Sequence, residues 1–387
     1  MTNNVTLIKN AVIVGDKLIK NKNLYINGDK IEAITSEILP HDQEIDANGL
    51  YVAPGFIDMH THGGNGIAFN DGTIEDILSI AEFHAENGTT TIFPTCPSDS
   101  FENMLQFVKN VKEAMKLNAP GKPHIAGSHL EGPYFSLEMC GAQNTDYIKA
   151  PVREEYEQFV ECGEGTVKLV SFAPELEGAK ELCIYLKEHN IQAAFGHTAA
   201  IYEDIKPLIP LGCTLATHIY SGMNCVTRRN LFRKLGAVET AFLEDDVYVE
   251  AIGDGMHLPP ELLKLVYKIK GPDKMCLVTD SIRAAGMPEG PYEERATVMG
   301  GIAYLKDMTS FAGSVATTDR LVRTMYKQVG APLTDCVKMV TQTPAKVMKL
   351  ENVGKIEEGF IANLVFFDDD INVSKVIIQG KEFKKEN

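Results

Sequence analysis

The sequence predicts an α/β protein, a parallel (β/α)8 barrel set into a small β domain. Three observations carry this. Between residues 54 and 345, eight apolar β-type runs alternate with amphipathic helical stretches. Both ends of the chain read instead as short strands with turn residues between them. The length, 387 residues with 44% hydrophobic content, suits one large barrel and a smaller companion.

The first fifty residues divide into "VTLIKNAVIV", "KLIKNKNLYING" and "KIEAITS", punctuated by turns such as Gly28-Asp29. The far end, "GKIEEGFIANLVFFDDDINVSKVIIQGKEF", repeats the style and has its own Gln379-Gly380 turn. Residues 1–53 and 346–387 are therefore expected to build one small β domain around the inserted barrel of 54–345. The barrel strands are expected at "GFIDMHTH", "TTTIFPT", "HIAGSHLEG", "VKLVSFAPE", "IQAAFGHT", "TLATHIY", "VYVEAIGDGMH" and "KMCLVTDS". Helices are expected between many of them, as at "IEDILSIAEFHAENG", which stops at Asn-Gly, and "PPELLKLVYKIKG", which stops at Gly. Apolar strands in repeated βα units form a parallel sheet, and eight of them close a barrel. An open, doubly wound sheet is the alternative. No G-x-G-x-x-G or Walker loop follows an early strand, which weakens a nucleotide-binding version of it.

Composition bounds the function. With 37 Lys and Arg against 53 Asp and Glu, the net charge of −16 argues against nucleic acid or an anionic membrane as partner. An anionic small molecule stays open, because it needs only local positive charge. No apolar run has the length of a membrane span. The N-terminal "MTNNVTLIKNAVIVGDKLIK" lacks the plan of a signal peptide, so a cytoplasmic location is expected. The eight scattered cysteines, with no C-x-x-C pair, are expected as buried small hydrophobes.

Ligand-type residues collect at one end of the expected strands: His60 and His62, Glu131, His197, His218, His257 and Asp280. In a barrel the C-terminal strand ends converge on one face, where sites are built. Each residue has a plainer reading. H-x-H is common by chance, Glu131 before Gly-Pro can cap a loop, a lone His after a strand is usually a hydrogen-bonded part of the structure, and Asp280 can cap the next helix. Together they point to a metal. His60 and His62, two apart on a strand, face the same side. Nitrogen and oxygen donors without sulfur suit zinc first, with iron, manganese or cobalt as alternatives.

These motifs resemble the amidohydrolase superfamily, and more narrowly the N-acetylglucosamine-6-phosphate deacetylases. The likeness rests on "PGFIDMHTH", "HLEGPY", "GAQNTDYI", "GHTAA", "THIYSGM", "DGMH", "LVTDS", "FAGS" and the closing "TPAKVMKLENVGKIEEGFIANLVFFD". It covers nearly the whole chain. It implies a (β/α)8 barrel with a small β-sandwich from both termini, usually a homodimer. It implies Glu131, His197 and His218 as principal metal ligands and Asp280 as the catalytic acid and base. His60 and His62 match a pair present in some members, where a second ion can sit with Glu131 between the two. The centre is thus expected to take one or two divalent ions. Ala142, Ser221, Gly222, Arg233, His257 and Phe311-Ala312-Gly313 fall where the family contacts its phosphorylated amino sugar. Gln143 stands where His is usual, Ser221-Gly222 where Asn-Ala is common, and the stretch around "VTRRNLFRKLG" is a few residues longer, which leaves Arg228 and Arg229 as rivals of Arg233 for the phosphate. Another N-acetylated sugar or an N-acyl amino acid is the rival substrate, and a metal-free sugar-phosphate binder the rival class.

The implied chemistry is amide hydrolysis. A metal lowers the pKa of a bound water toward ~7 and stabilises charge on the acetyl oxygen. Asp280 takes the water proton and passes it to the leaving amine, and Gln143 donates a hydrogen bond to the oxyanion.

Overall fold

The computed structural model describes residues 5–292, 296–308 and 310–385. The ends of the expected small domain, 1–4 and 386–387, lie outside them. Eight parallel strands form the centre: β1 (Phe56–Thr61), β2 (Thr89–Cys96), β3 (Ser128–Glu131), β4 (Val167–Phe172), β5 (Gln192–Phe195), β6 (Cys213–Ala216), β7 (Tyr248–Ile252) and β8 (Met275–Val278). Each pairs with the next. β8 returns to β1 through Thr279 Oγ1, which donates to Asp58 Oδ2 at 2.6 Å, and Asp280 N, which donates to the His60 carbonyl at 2.9 Å. All eight fall on the runs read from the sequence, and the sheet is a nearly closed barrel.

The strands are apolar because both faces are covered. Ile57, Met59, Phe93, Leu169, Leu215 and Val278 fill the interior. Outside, residues such as Ile92, Val170 and Val249 meet the helices through Ile77, Phe107 and Leu182. The helix Ile74–Glu86 starts at a Thr73–Asp76 capping box and ends before Gly88, whose φ is 95°. The helix Pro260–Lys270 buries Leu263 and Val266 and stops at Gly271.

The two ends of the chain meet in one six-stranded sheet. Tyr51–Pro54 lies between Val12–Val14 and the far-end strand Leu364–Phe367, with Ala53 opposite Val365. A four-stranded sheet from the first 46 residues packs on it, sharing a core of Ile8, Leu24, Ile31, Val52, Leu364 and Phe366. Gly55 alone separates Tyr51–Pro54 from β1, and a Cβ there would fall 2.2 Å from Thr90 Oγ1. Any larger residue would force the junction apart.

Three features depart from the sequence reading. After β8 the chain makes a four-stranded antiparallel sheet (Gly290–Tyr292, Ala296–Met299, Ile302–Leu305, Phe311–Ser314) before the next helix, so Asp280 caps no helix. Residues 227–234 form an exposed hairpin of two three-residue strands. Both are short and partly exposed, which blurs the alternation that marks a strand. Five cysteines are buried as expected, but Cys140 and Cys162 are half-buried and Cys225 is exposed. Among the described residues, no helix is long and apolar enough to cross a membrane.

Candidate metal centre

His60 and His62 come from the end of β1, and Glu131 closes β3. His197, His218 and Asp280 each stand two residues beyond β5, β6 and β8. These three have φ of 44°, 26° and 48°, a left-handed region that non-glycine residues rarely occupy. Local hydrogen bonds hold the turns. His218 N donates to Glu250 Oε2 at 3.1 Å. Thr198 Oγ1 and Ala199 N, just after His197, donate to Glu175 at 2.5 and 2.7 Å.

Glu131 is the hub and is 2% exposed. Its Oε1 lies 2.8 Å from His218 Nε2 and 3.1 Å from His197 Nε2. Its Oε2 lies 3.3 Å from His62 Nε2 and accepts from Gln143 Nε2 at 2.6 Å. Gln143 is itself oriented, because Ser98 N donates to its Oε1 at 2.7 Å. His60 Nε2 stands 3.3 Å from His62 Nε2 and 3.6 Å from Glu131 Oε1. Asp280 Oδ1 lies 3.2 Å from His62 Nε2 and 3.5 Å from His60 Nε2. Two overlapping groups have cation spacing, His60–His62–Glu131 and Glu131–His197–His218, with ligand atoms within 4.8 Å of one another in each.

The donor chemistry fits a divalent ion. His197 Nδ1 lies 3.1 Å from the Met139 carbonyl, and His60 Nδ1 lies 3.0 Å from a Glu250 carboxylate oxygen. Both partners only accept, so each Nδ1 carries the proton. With Nδ1 so engaged, the Nε2 of each ring is the nitrogen turned toward the Glu131 carboxylate. Lone pairs this close need a proton or a cation between them. Electrostatics says the same. Burial disfavours charge at His62, but hydrogen bonds to Asp280 and Glu131 outweigh it and raise its pKa to about 10. At His218 the Glu131 contact likewise overrides burial, giving about 9. Burial would raise Asp280, yet His62 and its neighbours hold it at about 2, and contacts with His197 and His218 keep Glu131 well below the usual carboxylate range.

Above this floor opens a cavity of about 560 Å³. His62, Glu131, Gln143, His197, His218 and Asp280 face it, and Ala142, Ser221, Gly222, His257, Phe311, Ala312 and Gly313 line its wall. His257 Nδ1 meets Asp254 Oδ2 at 2.8 Å, and its ring packs edge-on against Phe311. Gly222 has φ 57°, and a Cβ there would lie 2.6 Å from His197 Nδ1, so with this backbone a larger residue would push the imidazole aside. Arg228, Arg229 and Arg233 are not brought in. All three are exposed on the 227–234 hairpin, and none lines the cavity.

Sequence reasoning missed several site residues. Glu250 is buried within β7 behind His60, and its signal was a carboxylate inside the apolar run "VYVEAIG". His129, pushed well below its usual pKa by burial, packs edge-on against His60 and contacts Ser171 Oγ at 2.8 Å. Arg283 lines the cavity and pairs with Asp71 at 2.8 Å. Nothing in "SIRAAG" set that arginine apart from any loop cation.

The Amidohydrolase family profile matches residues 51–383. The chain belongs to the amidohydrolase family. Among its relatives, the N-acetylglucosamine-6-phosphate deacetylase of Bacillus subtilis (strain 168) is 32% identical over 97% of this chain and 96% of its own length. The N-acetylgalactosamine-6-phosphate deacetylase of Shewanella sp. (strain ANA-3) is 31% identical over 86% and 83%. Among solved structures, a variant N-acetyl-D-glucosamine-6-phosphate deacetylase from Mycobacterium smegmatis, in complex with N-acetyl-D-glucosamine-6-phosphate, aligns over 99% of both chains at 28% identity and a TM-score of 0.90. The amidohydrolase profile begins at the sheet strand preceding β1, so the match takes in the whole barrel.

Proposed function

We propose that this amidohydrolase removes the acetyl group of N-acetylglucosamine 6-phosphate, giving glucosamine 6-phosphate and acetate. One observation carries the reading: a chain 32% identical over nearly its whole length to a deacetylase of that sugar phosphate places a carboxylate, Asp280, at the edge of a His and Glu cluster under a sugar-sized cavity. Glu131, His197 and His218 would hold one divalent ion, and His60, His62 and Glu131 a second, with zinc the first candidate. Such an ion supplies Lewis-acid polarisation of the acetyl carbonyl and a water whose pKa is lowered to about 7. Asp280, ionised at neutral pH, takes the proton of the attacking water and delivers it to the amide nitrogen as the C–N bond breaks. Gln143, its carboxamide oriented by Ser98 N, presents an N–H at the same edge of the cavity. His257, Ser221, Gly222 and the Phe311–Gly313 strand would seat the sugar.

The phosphate needs a cation that the cavity wall does not take from the hairpin of its own chain. We read the protein as a cytoplasmic homodimer in which Arg233, with Arg228 and Arg229 beside it, reaches the cavity of the other copy. The hairpin supports this, since Leu231 and Phe232 at its tip are 93% and 73% exposed beside the arginines. Arginine suits phosphate through its bidentate fork.

A second reading, the galacto epimer, is favoured by the Shewanella relative. Acetate release from the two 6-phosphates, with ions per chain counted on the same sample, separates them. The gluco sugar should have the higher kcat/KM, and preference for the galacto sugar would reverse the assignment. No turnover of either by metal-loaded protein would sink the deacetylase reading.

A further inference from the structure

Glu250 sits within the barrel on β7, and its residue is 0% exposed. We propose that Glu250 is the positioning residue that makes the His60–His62 half of the centre a cation site, so that the second ion depends on it. The proposal rests on the two-ion reading above.

Glu250 Oε2 lies 3.0 Å from His60 Nδ1 and accepts the His218 N–H at 3.1 Å. Its main-chain carbonyl accepts the Ile219 N–H at 2.8 Å. One residue on β7 therefore braces the end of β1 and the turn after β6. The contact with His60 has a chemical consequence. A carboxylate at that distance keeps the proton on Nδ1, so the Nε2 lone pair points toward His62, Glu131 and Asp280. Without the carboxylate the buried Nδ1–H loses its acceptor, and nothing fixes the ring or its tautomer.

Charge points the same way. Glu250 Oε1 is buried without a hydrogen-bond partner. A buried carboxylate left so poorly satisfied is costly unless a cation lies near. Glu131, Asp280 and Glu250 bring three carboxylates to the barrel mouth. One divalent ion balances two of these charges. The third is left for a second cation beside His60, on the far side of the ring from Glu250, and the two charges of that cation more than meet it. The other half of the centre is held differently. His197 is oriented by the Met139 carbonyl, and the Ile219 bond uses Glu250 main chain that any side chain would keep. The Glu250 carboxylate also accepts the His218 N–H, so its loss should act mainly, and not solely, on the His60–His62 half.

The test is a titration of metal-free protein with Zn²⁺ by calorimetry, with ions per chain counted by elemental analysis. The native chain should take two ions. Glu250→Met, close to Glu in volume, should bind the second ion about 10- to 100-fold more weakly and weaken the first by clearly less, while Glu250→Gln, whose amide oxygen still accepts an N–H, should fall between it and the native chain. The melting temperature of the metal-free variants reports folding separately. A second ion bound as tightly as in the native chain overturns the proposal, and so does equal weakening of both ions, which marks a general structural role. A native chain that takes only one ion sinks the two-ion reading and this proposal with it, a result distinguishable from the others because it needs no variant. One measurement on native protein stands even if both variants fail to fold. Nitrogen-15 NMR of the zinc-loaded chain should find His60 protonated at Nδ1, and a proton at Nε2 overturns the proposal.

Discussion

The floor of the cavity and the 227–234 hairpin are held in opposite ways. The floor residues stand at the ends of buried strands. Each has at least one fixed partner: Glu131 has four imidazoles and an amide around it, His197 has a carbonyl, and His60 has a carboxylate. The hairpin has two three-residue strands, and Arg228 faces Arg233 across them in register. Like charges opposite one another are unfavourable in an isolated hairpin. A rigid floor sets chemistry within a chain, and an exposed cationic arm suits an encounter with something outside it.

The largest effect tests the floor. Asp280→Asn should lower kcat by about 10²- to 10⁴-fold while ions per chain stay at the native number. Turnover close to native would remove Asp280 from the proton path. The next effect tests the arm. Arg233→Ala should raise KM for the phosphorylated sugar about 10- to 100-fold, the size of a lost charge-assisted hydrogen bond, and change little for the unphosphorylated sugar. Mixing Arg233→Ala with Asp280→Asn should recover native KM in mixed dimers, because one subunit then has both an intact floor and its partner's arginine. No recovery on mixing would return the arm to its own chain.

The smallest effect concerns the support behind β1. His84 is buried, its Nε2 contacts the Gly63 carbonyl at 3.0 Å, and burial lowers its pKa from 6.5 to about 4. The unfolded chain takes up a proton below pH 6.5 that the folded chain refuses until about pH 4. This contribution to stability is present above pH 6.5 and is lost as pH falls. Denaturant unfolding with chelator present should show His84→Gln losing about 1 kcal/mol less than the native chain between pH 7 and pH 5.5. Equal losses would mean that His84 is protonated in the folded state.

The same contrast explains what the sequence disclosed. Strand ends are legible because an apolar run fixes both the strand and the place where it stops. His60, Glu131, His197, His218 and Asp280 each follow such a run, and the barrel brings those ends together. The arginines were legible only as a cluster, since a loop's destination depends on packing that no local pattern encodes. Glu250 was hidden by the opposite cause. It lies inside a strand, where a carboxylate looks like an interruption until its partners arrive from β1 and β6. The antiparallel sheet of 290–314 escaped for lack of a clean period, although its last strand, Phe311–Ser314, lines the cavity.

The pairing of Tyr51–Pro54 with Leu364–Phe367 sets a schedule for synthesis. About 300 residues separate the two strands, and a ribosome adding about 5–20 residues per second needs roughly 15–60 s to bridge them. For that interval Leu364–Phe367 does not yet exist, so the side of Tyr51–Pro54 that it covers in the finished sheet has no partner strand. The barrel strands are made within this window, and the sheet closes only after the whole barrel has been translated.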